Sequence, residues 1–228
     1  MGIKQRLRRQ ALRQFQNPTG VGGRVVRRLM GQFHNPTGVG GHVAGWVMGR
    51  RSSNVQRNTW AVELLEIQPS DHVIELGCGP GVAVAALAGR ATRGLVVGVD
   101  RSKVMIQQAR RRNAAAIRAG RVRLVQAPVE SLPAMDGPFD AALAVNNVGI
   151  WPDPPAQLRE IGRWLRPGGR IALVSQPRCP GATAATSAAA ADDLRDLLLQ
   201  AGFEDPRVET LDLNPPAVCV LGVQPASA

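Results

Sequence analysis

The chain has 228 residues, of which 44% are hydrophobic, and this is enough for one ordinary domain with an appendage. Its cysteines, Cys78, Cys179 and Cys219, are far apart and lack a C-x-x-C spacing, which argues against a disulfide framework or a zinc site and indicates a reducing compartment. No apolar run approaches the roughly 20 residues that cross a bilayer. We therefore expect a cytoplasmic protein without a bound metal.

The formal net charge of +11 lies entirely at one end of the chain. Residues 1–62 contain 11 of the 28 basic residues and no acid, leaving 17 basic against 17 acidic residues elsewhere. Such a segment can bind anionic lipid or nucleic acid, or it can serve as a solvated arm. With 4% aromatic residues and no Tyr, base-stacking platforms are scarce, so nucleic acid is the least favoured partner. A basic amphipathic helix over residues 1–13 favours peripheral contact with an anionic membrane through residues 1–31.

An internal repeat follows, in which QFQNPTGVGG at residues 14–23 recurs as QFHNPTGVGG at residues 32–41. Each copy predicts an Asn-Pro turn, a glycine-rich joint and a short helix, and two copies are too few for a solenoid. We expect residues 1–55 to form a basic arm whose second copy is a lid, and residues 56–228 to form the globular domain. His42, on the second copy, is a candidate general base.

After an amphipathic helix over residues 56–67, an apolar run leads into three alternating glycines at Gly77, Gly79 and Gly81 and then into a second apolar run. This pattern predicts a buried strand, a tight turn and a helix start. Glycine permits positive φ and a close approach of the backbone to a ligand, and free N–H groups at the helix start favour polar or anionic groups. The G-x-G-x-G spacing is one residue shorter than the dinucleotide fingerprint.

Strands and helices alternate through the rest of the chain. Strands are predicted near residues 95–100, 122–126, 139–145, 170–175, 207–211 and 217–221. Helices are predicted near residues 82–90, 102–118, 155–165 and 186–201. This alternation indicates an α/β fold whose parallel sheet is covered on both faces. The strand over residues 95–100 ends in Asp100, where a carboxylate can accept the hydroxyls of a ribose.

The glycine run, Asp100, the segment at residues 139–147 and the LRPGGR turn at residues 165–170 together resemble the class I S-adenosylmethionine-dependent methyltransferases, in particular the ubiquinone- and menaquinone-biosynthesis-like branch (methyltransferase type 11). The resemblance covers residues 57–175. It implies a Rossmann-like, seven-stranded, mostly parallel sheet with helices on both faces, a terminal antiparallel hairpin and an N-terminal helical lid. One alternative is a Rossmann-like domain with another ligand.

The resemblance also implies S-adenosyl-L-methionine as cofactor and methyl transfer as the reaction. The expected lid is rich in Gly, Val, Met and Trp, which favours a small, apolar acceptor such as a quinone, phenol, polyketide or lipid precursor. The alternative function is a non-catalytic S-adenosylmethionine-binding protein that acts through its basic arm at a membrane or with a partner. Neither the identity of the acceptor nor the oligomeric state follows from the sequence.

The residues that the resemblance places at the cofactor are Glu75, Gly77, Cys78, Gly79, Gly81, Asp100, Arg101, Met105, Val129, Glu130 and Asn146. Glu75 would orient the loop or reach the donor's amino group through water, and Asp100 would bind the ribose. Arg101 and Met105 would flank the adenine.

The adenine corner departs from the family, because Pro128 stands where relatives carry an Asp that binds the adenine amino group. Backbone groups, Val129 or Glu130 would take that role. Methyl transfer from a sulfonium depends on positioning more than on side-chain chemistry. The catalytic candidates are His42 and His34 on the repeat and Asn146 and Asn147 after the fourth strand.

Overall fold

The computed structural model of the chain describes residues 51–135 and 137–226. The duplicated unit, the basic residues 1–31 and His42 lie outside the described residues. The helices are α1 (Ser52–Leu64), α2 (Val82–Arg90), α3 (Lys103–Arg112), α4 (Ala114–Arg118), α5 (Pro154–Trp164) and α6 (Ala184–Ala201). The strands are β1 (His72–Leu76), β2 (Leu95–Asp100), β3 (Val122–Gln126), β4 (Phe139–Val145), β5 (Leu165–Ser175), β6 (Glu204–Leu211) and β7 (Ala217–Val223).

The seven strands form one sheet in the order β3-β2-β1-β4-β5-β7-β6. The first five strands are parallel, and β7 runs antiparallel to both β5 and β6. This arrangement confirms the predicted α/β, Rossmann-like, mostly parallel sheet with a terminal hairpin. Because the strand order reverses between β1 and β4, a crevice is expected at the carboxyl ends of these strands.

Helices cover both faces of the sheet, as the continuous apolar runs predict. Apolar residues of α1, α2 and α3 pack on one face, where Val73 of β1 points, and those of α5 and α6 pack on the other, where Ile74 points. Among residues 51–135 and 137–226, no helix has the length and apolar content needed to cross a membrane.

Two predicted helices differ most from the observed ones. The first helix begins at Ser52 rather than at residue 56, since the Arg51 carbonyl already accepts the amide of Val55. The predicted helix over residues 102–118 is two helices, α3 and α4, divided at Asn113. The buried Asn113 side chain donates to the carbonyls of Gly81 and Ala109. The residue at the break therefore contacts the glycine loop, residues 77–81.

The fifth strand also begins earlier than predicted, at Leu165 instead of residue 170. The LRPGGR segment, predicted as a turn, extends the strand with a register shift against β4. Its amide at Gly168 donates to the Gln224 carbonyl, and the Gln224 amide donates to the Gly169 carbonyl. These partners come from the far end of the chain, which explains why the local pattern did not predict the extension.

Gly94, just before β2, makes the closest backbone approach in this part of the sheet. A Cβ at Gly94 would lie 2.8 Å from the Asp71 carbonyl carbon and closer still to its oxygen. Because backbone atoms cannot move aside, we expect Gly94→Ala to destabilise the fold by about 3 kcal/mol or more in urea denaturation. Gly89→Ala is the control, since this exposed helical position has open space and should gain about 0.5–1 kcal/mol. Equal stability of the two variants would contradict the packing described here.

Candidate functional site

Three chain segments converge at the carboxyl edge of the sheet. Leu76, the last residue of β1, pairs with Val99 of β2 and with Ala144 of β4. The glycine loop, Asp100 and the Asn146–Asn147 pair follow directly after these positions in the sequence. The register therefore brings together the three segments that the sequence predicted to bind the donor.

The glycine loop is bound to the end of β2 by its own amides. The Cys78 amide donates to the Val99 carbonyl at 2.8 Å, and the Gly79 amide donates to Asp100 Oδ2 at the same distance. The loop then turns back, with the Gly81 amide donating to the Cys78 carbonyl. The loop conformation thus depends on Asp100 as much as on the glycines.

The three glycines serve three different purposes. A Cβ on Gly77 would lie 2.9 Å from Asn147 Cγ, and one on Gly81 would lie 2.9 Å from the Ala109 Cβ. Among the described residues, nothing lies within 4 Å of a Cβ built on Gly79. Gly79 therefore faces the space in which a ligand can approach the backbone, whereas Gly81 permits the close packing of α3.

The Asp100 carboxylate is half-buried and accepts two backbone amides. Its Oδ1 accepts from Ser102 at 2.8 Å, in addition to the Gly79 bond on Oδ2. Burial raises the pKa of Asp100 above its ordinary value, against the opposing effect of these two amide bonds. Each carboxylate oxygen has a second lone pair, which suits the two hydroxyls of a ribose.

Glu75 lies beneath the loop and is 2% exposed. Burial raises its pKa well above the ordinary value, and the charge of Asp100 adds to the effect. Burial, Glu75 and Asp100 likewise raise the pKa of the Cys78 thiol, which is thereby kept protonated. Within the described part of the chain, Glu75 Oε2 has no hydrogen-bond partner. The loop-orienting role of Glu75 stays a prediction.

The raised pKa of Glu75 predicts a pH-dependent effect of Glu75→Gln. The folded protein keeps a proton that the unfolded chain releases above its ordinary pKa of 4.5, so the contribution of Glu75 to stability falls as pH rises above that value. The glutamine side chain does not titrate, so above pH 4.5 the free energy of unfolding of Glu75→Gln should rise relative to that of the wild type by up to about 1.4 kcal/mol per pH unit. Urea denaturation from pH 4 to 8 measures the difference. If the wild type instead became more stable than Glu75→Gln as pH rises, the buried Glu75 carboxyl would not be neutral.

Asn146 and Asn147 point in different directions. The Asn147 Nδ2 donates to the Leu76 carbonyl and, at 3.4 Å, to the Gly77 carbonyl, while its buried Oδ1 has no partner among the described residues. The exposed Asn146 has φ +56° and accepts the Gln176 amide on Oδ1 at 2.7 Å. Asn147 therefore supports the glycine loop, and Asn146 connects the ends of β4 and β5.

The predicted adenine side lies beyond the end of β3. Arg101 and Glu130 are exposed, and Val129 is half-buried in a 3₁₀ turn. Met105 is 2% exposed and lies in the interior beneath the start of α3, so its main contribution is packing. Of the four residues predicted at the adenine, Arg101 and Glu130 are the most exposed.

Two functional candidates were not selected from the sequence. Arg57 of α1 is 3% exposed and donates to Gln176 Oε1 at 2.6 Å. The two residues are 119 positions apart, so no local spacing connects them. The sequence did contain one signal for Arg57, because it lies at helical spacing from the apolar residues Ala61 and Val62 and so shares their buried face.

The chain is similar to known methyltransferases. A family model described as "Methyltransferase domain" matches residues 73–169. The uncharacterized methyltransferase YdaC of Bacillus subtilis (strain 168) is 30% identical over 177 residues, covering 77% of this chain and 96% of that protein. The O-methyltransferase cnsE of Penicillium expansum is 34% identical over 145 residues, covering 59% of this chain and 52% of the relative, so the chain spans about half the length of that protein.

The fold is also similar to that of known methyltransferases. The crystal structure of a SAM-dependent methyltransferase from Aquifex aeolicus superposes with a TM-score of 0.64 at 16% identity, covering 80% of this chain and 98% of the other. Together with the sequence similarities, the open face of Gly79 and the carboxylate of Asp100 fit an S-adenosylmethionine site. The chain belongs to the class I S-adenosylmethionine-dependent methyltransferases. It is an enzyme whose methyl donor is S-adenosyl-L-methionine.

Proposed function

We propose that the enzyme transfers a methyl group from S-adenosylmethionine to a small, largely apolar acceptor by in-line displacement. The observation that carries this proposal is the convergence of Gly79, Asp100 and Asn147 at one sheet edge. When bound, S-adenosylmethionine supplies an electrophilic methyl group on a sulfonium. The chain's own residues bind the donor and orient the acceptor for attack.

Each donor-site residue has a role that its contacts support. Asp100 binds the ribose hydroxyls and fixes the Gly79 amide, and Asn147 and Glu75 hold the loop from below. The free Asn147 Oδ1 is available to the α-ammonium of the donor, because a buried amide oxygen without a partner favours a hydrogen-bond donor. None of these side chains needs to transfer a proton, and positioning within near-attack distance supplies the rate enhancement.

The acceptor is expected on the β4–β5 side of this edge. Exposed apolar side chains at Val55 of α1 and Ile150, just after the asparagine pair, offer contact surface there. Asn146 is the exposed polar side chain next to the same edge and is the described candidate for orienting the acceptor. The name of the Penicillium expansum relative, an O-methyltransferase, supports hydroxyl-bearing acceptors such as phenols, quinols and hydroxylated polyketide or lipid precursors.

Incubation with methyl-labelled S-adenosylmethionine and a panel of quinols, phenols, polyketides and lipid precursors tests this function. We expect label in at least one acceptor and stoichiometric formation of S-adenosylhomocysteine, and much less of both products from Asp100→Ala when S-adenosylmethionine is limiting. A protein that binds S-adenosylhomocysteine but never yields it above the enzyme-free background would instead support the non-catalytic alternative.

We also propose that residues 1–31 contact an anionic membrane while the enzyme works in the cytoplasm. Eight of the chain's basic residues and no acid lie in this segment. Each basic residue near an anionic surface contributes about 1 kcal/mol, so deletion of residues 1–31 should abolish salt-sensitive binding to phosphatidylglycerol vesicles. Affinity for S-adenosylhomocysteine should stay unchanged. Vesicle binding that persists after the deletion would contradict the proposed membrane contact of residues 1–31.

A further inference from the structure

Three arginines meet where α1 begins and β5 ends. This arginine cluster consists of Arg51, Arg57 and Arg178. The buried Arg57 donates from Nη1 to Gln176 Oε1 at 2.6 Å and from Nη2 to Asn54 Oδ1. Arg178 Nη2 reaches the same Asn54 oxygen at 3.4 Å. Two guanidinium groups therefore share one neutral amide oxygen in place of a carboxylate.

The arginine cluster has no counter-ion within residues 51–135 and 137–226. None of the ion pairs formed there includes these arginines. Arg57 Nε is buried without a partner in the same part of the chain, and burial together with the charges of Arg178 and Arg51 lowers the pKa of Arg57 to about 9. Residues 1–50 contain no Asp or Glu, since the first acid of the sequence is Glu63. A desolvated cation without a counter-ion is unfavourable, and a bound anion would compensate its charge.

An open cavity of about 330 Å³ lies beside two of the three arginines of the cluster. Arg51 and Arg178 line it together with Gln176, Cys179, Gly181 and Asn214. This volume is in the range of small-molecule sites and exceeds that of a single carboxylate or phosphate group. The cavity therefore has room for the acidic group and part of the molecule that carries it.

The position of the cavity separates it from the nucleoside end of the donor. Gln176 follows β5, and Asp100 ends β2, which is three strands away at a spacing of about 4.8 Å, or roughly 14 Å in all. The backbone amide of Gln176 donates to Asn146, so the cavity lies on the far side of Asn146 from the glycine loop. This is the side on which the acceptor is expected.

We propose that the arginine cluster binds a carboxylate or phosphate group of the methyl acceptor, so that the substrate is an acidic small molecule with an apolar remainder. This inference rests on the methyl transfer proposed above and names the class of its substrate. Guanidinium groups suit such a ligand because their N–H donors pair with two oxygens of a carboxylate or phosphate at once. The α-carboxylate of the donor has the same chemistry and is the competing occupant.

The test begins with isothermal titration of S-adenosylhomocysteine, followed by titration of benzoate and inorganic phosphate into the S-adenosylhomocysteine-saturated protein at constant ionic strength. We expect saturable anion binding that Arg178→Gln weakens by about tenfold or more. Arg178 is exposed, so this variant should fold, as circular dichroism can verify. The matched control is Arg118→Gln, an exposed arginine on α4, and it should change the anion affinity by less than about twofold.

Each outcome decides between sources of the anion. Unchanged affinity for S-adenosylhomocysteine in Arg178→Gln, with lost benzoate and phosphate binding, supports the acceptor group. Phosphate that competes with S-adenosylhomocysteine, but not with 5′-methylthioadenosine, which lacks the carboxylate, assigns the arginine cluster to the donor and overturns the inference. Absence of anion binding, or an equal loss in Arg118→Gln, also overturns it. Failure of S-adenosylhomocysteine itself to bind would instead overturn the proposed function, and the inference with it.

Discussion

Gly77→Ala is expected to reduce affinity for S-adenosylhomocysteine by about a hundredfold or more, equivalent to roughly 3 kcal/mol. The backbone at Gly77 has φ +66°, which a Cβ disfavours, and the new Cβ would lie 2.9 Å from Asn147 Cγ. Relief of this overlap would displace the Asn147 amide that binds the Leu76 and Gly77 carbonyls. The loop would then no longer present Gly79 to the donor. Isothermal titration calorimetry measures the loss.

Two variants separate the causes of this effect. Gly120 has a similar φ of +72°, but nothing in the described residues lies within 4 Å of its added Cβ. Gly120→Ala should therefore show only the backbone strain, which lowers stability by about 1 kcal/mol and leaves donor affinity unchanged. Adding Asn147→Ala to Gly77→Ala removes the overlapping side chain and should recover part of the folding stability that the overlap costs Gly77→Ala. Donor affinity of Gly77→Ala at the wild-type level would refute the described loop.

Asp100→Ala is expected to weaken binding of S-adenosylhomocysteine by about 2–3 kcal/mol, or roughly thirty- to 150-fold. The substitution removes the acceptor for the ribose hydroxyls. It also leaves the amides of Gly79 and Ser102 without their 2.8 Å partners, so the loop itself loosens. Calorimetric titration of the variant and the wild type under the same buffer gives the difference directly.

The control for this substitution is Asp196→Ala, which removes the same charge from an exposed position on α6. It should bind S-adenosylhomocysteine as the wild type does. An adenosine analogue without ribose hydroxyls should lose less affinity on Asp100→Ala than S-adenosylhomocysteine does, because the direct bonds are already missing. Equal losses for both ligands would mean that Asp100 acts only by fixing the loop.

The sequence predicted the parts of the fold and site that depend on local pattern. The glycine run and the carboxylate at the end of the next apolar run both follow carboxyl ends of parallel strands, so alternation predicted that they lie at the same edge of the sheet. That β1 and β2 are also neighbours in the sheet is an observation of the structure. Strand and helix spans over residues 82–90, 95–100, 122–126 and 139–145 coincide with α2, β2, β3 and β4. Continuous apolar runs and glycine turns contain that information within a few residues.

Contacts between distant segments were beyond local pattern. The early start of β5 depends on Gln224, and the break at Asn113 depends on Gly81. The pairing of Arg57 with Gln176 likewise joins two surface-type residues into a buried contact that appears only when α1 packs beside β5. The distinct purposes of Gly77, Gly79 and Gly81 also required the neighbours that their missing Cβ atoms would meet.

A crystal structure of the enzyme with S-adenosylhomocysteine tests the central claim most directly. The contacts described here predict the ribose hydroxyls on Asp100 and the homocysteine part along Gly77 and Gly79, with the sulfur facing the β4–β5 side. A nucleoside bound elsewhere, or ribose hydroxyls without contact to Asp100, would contradict the assignment of the donor site.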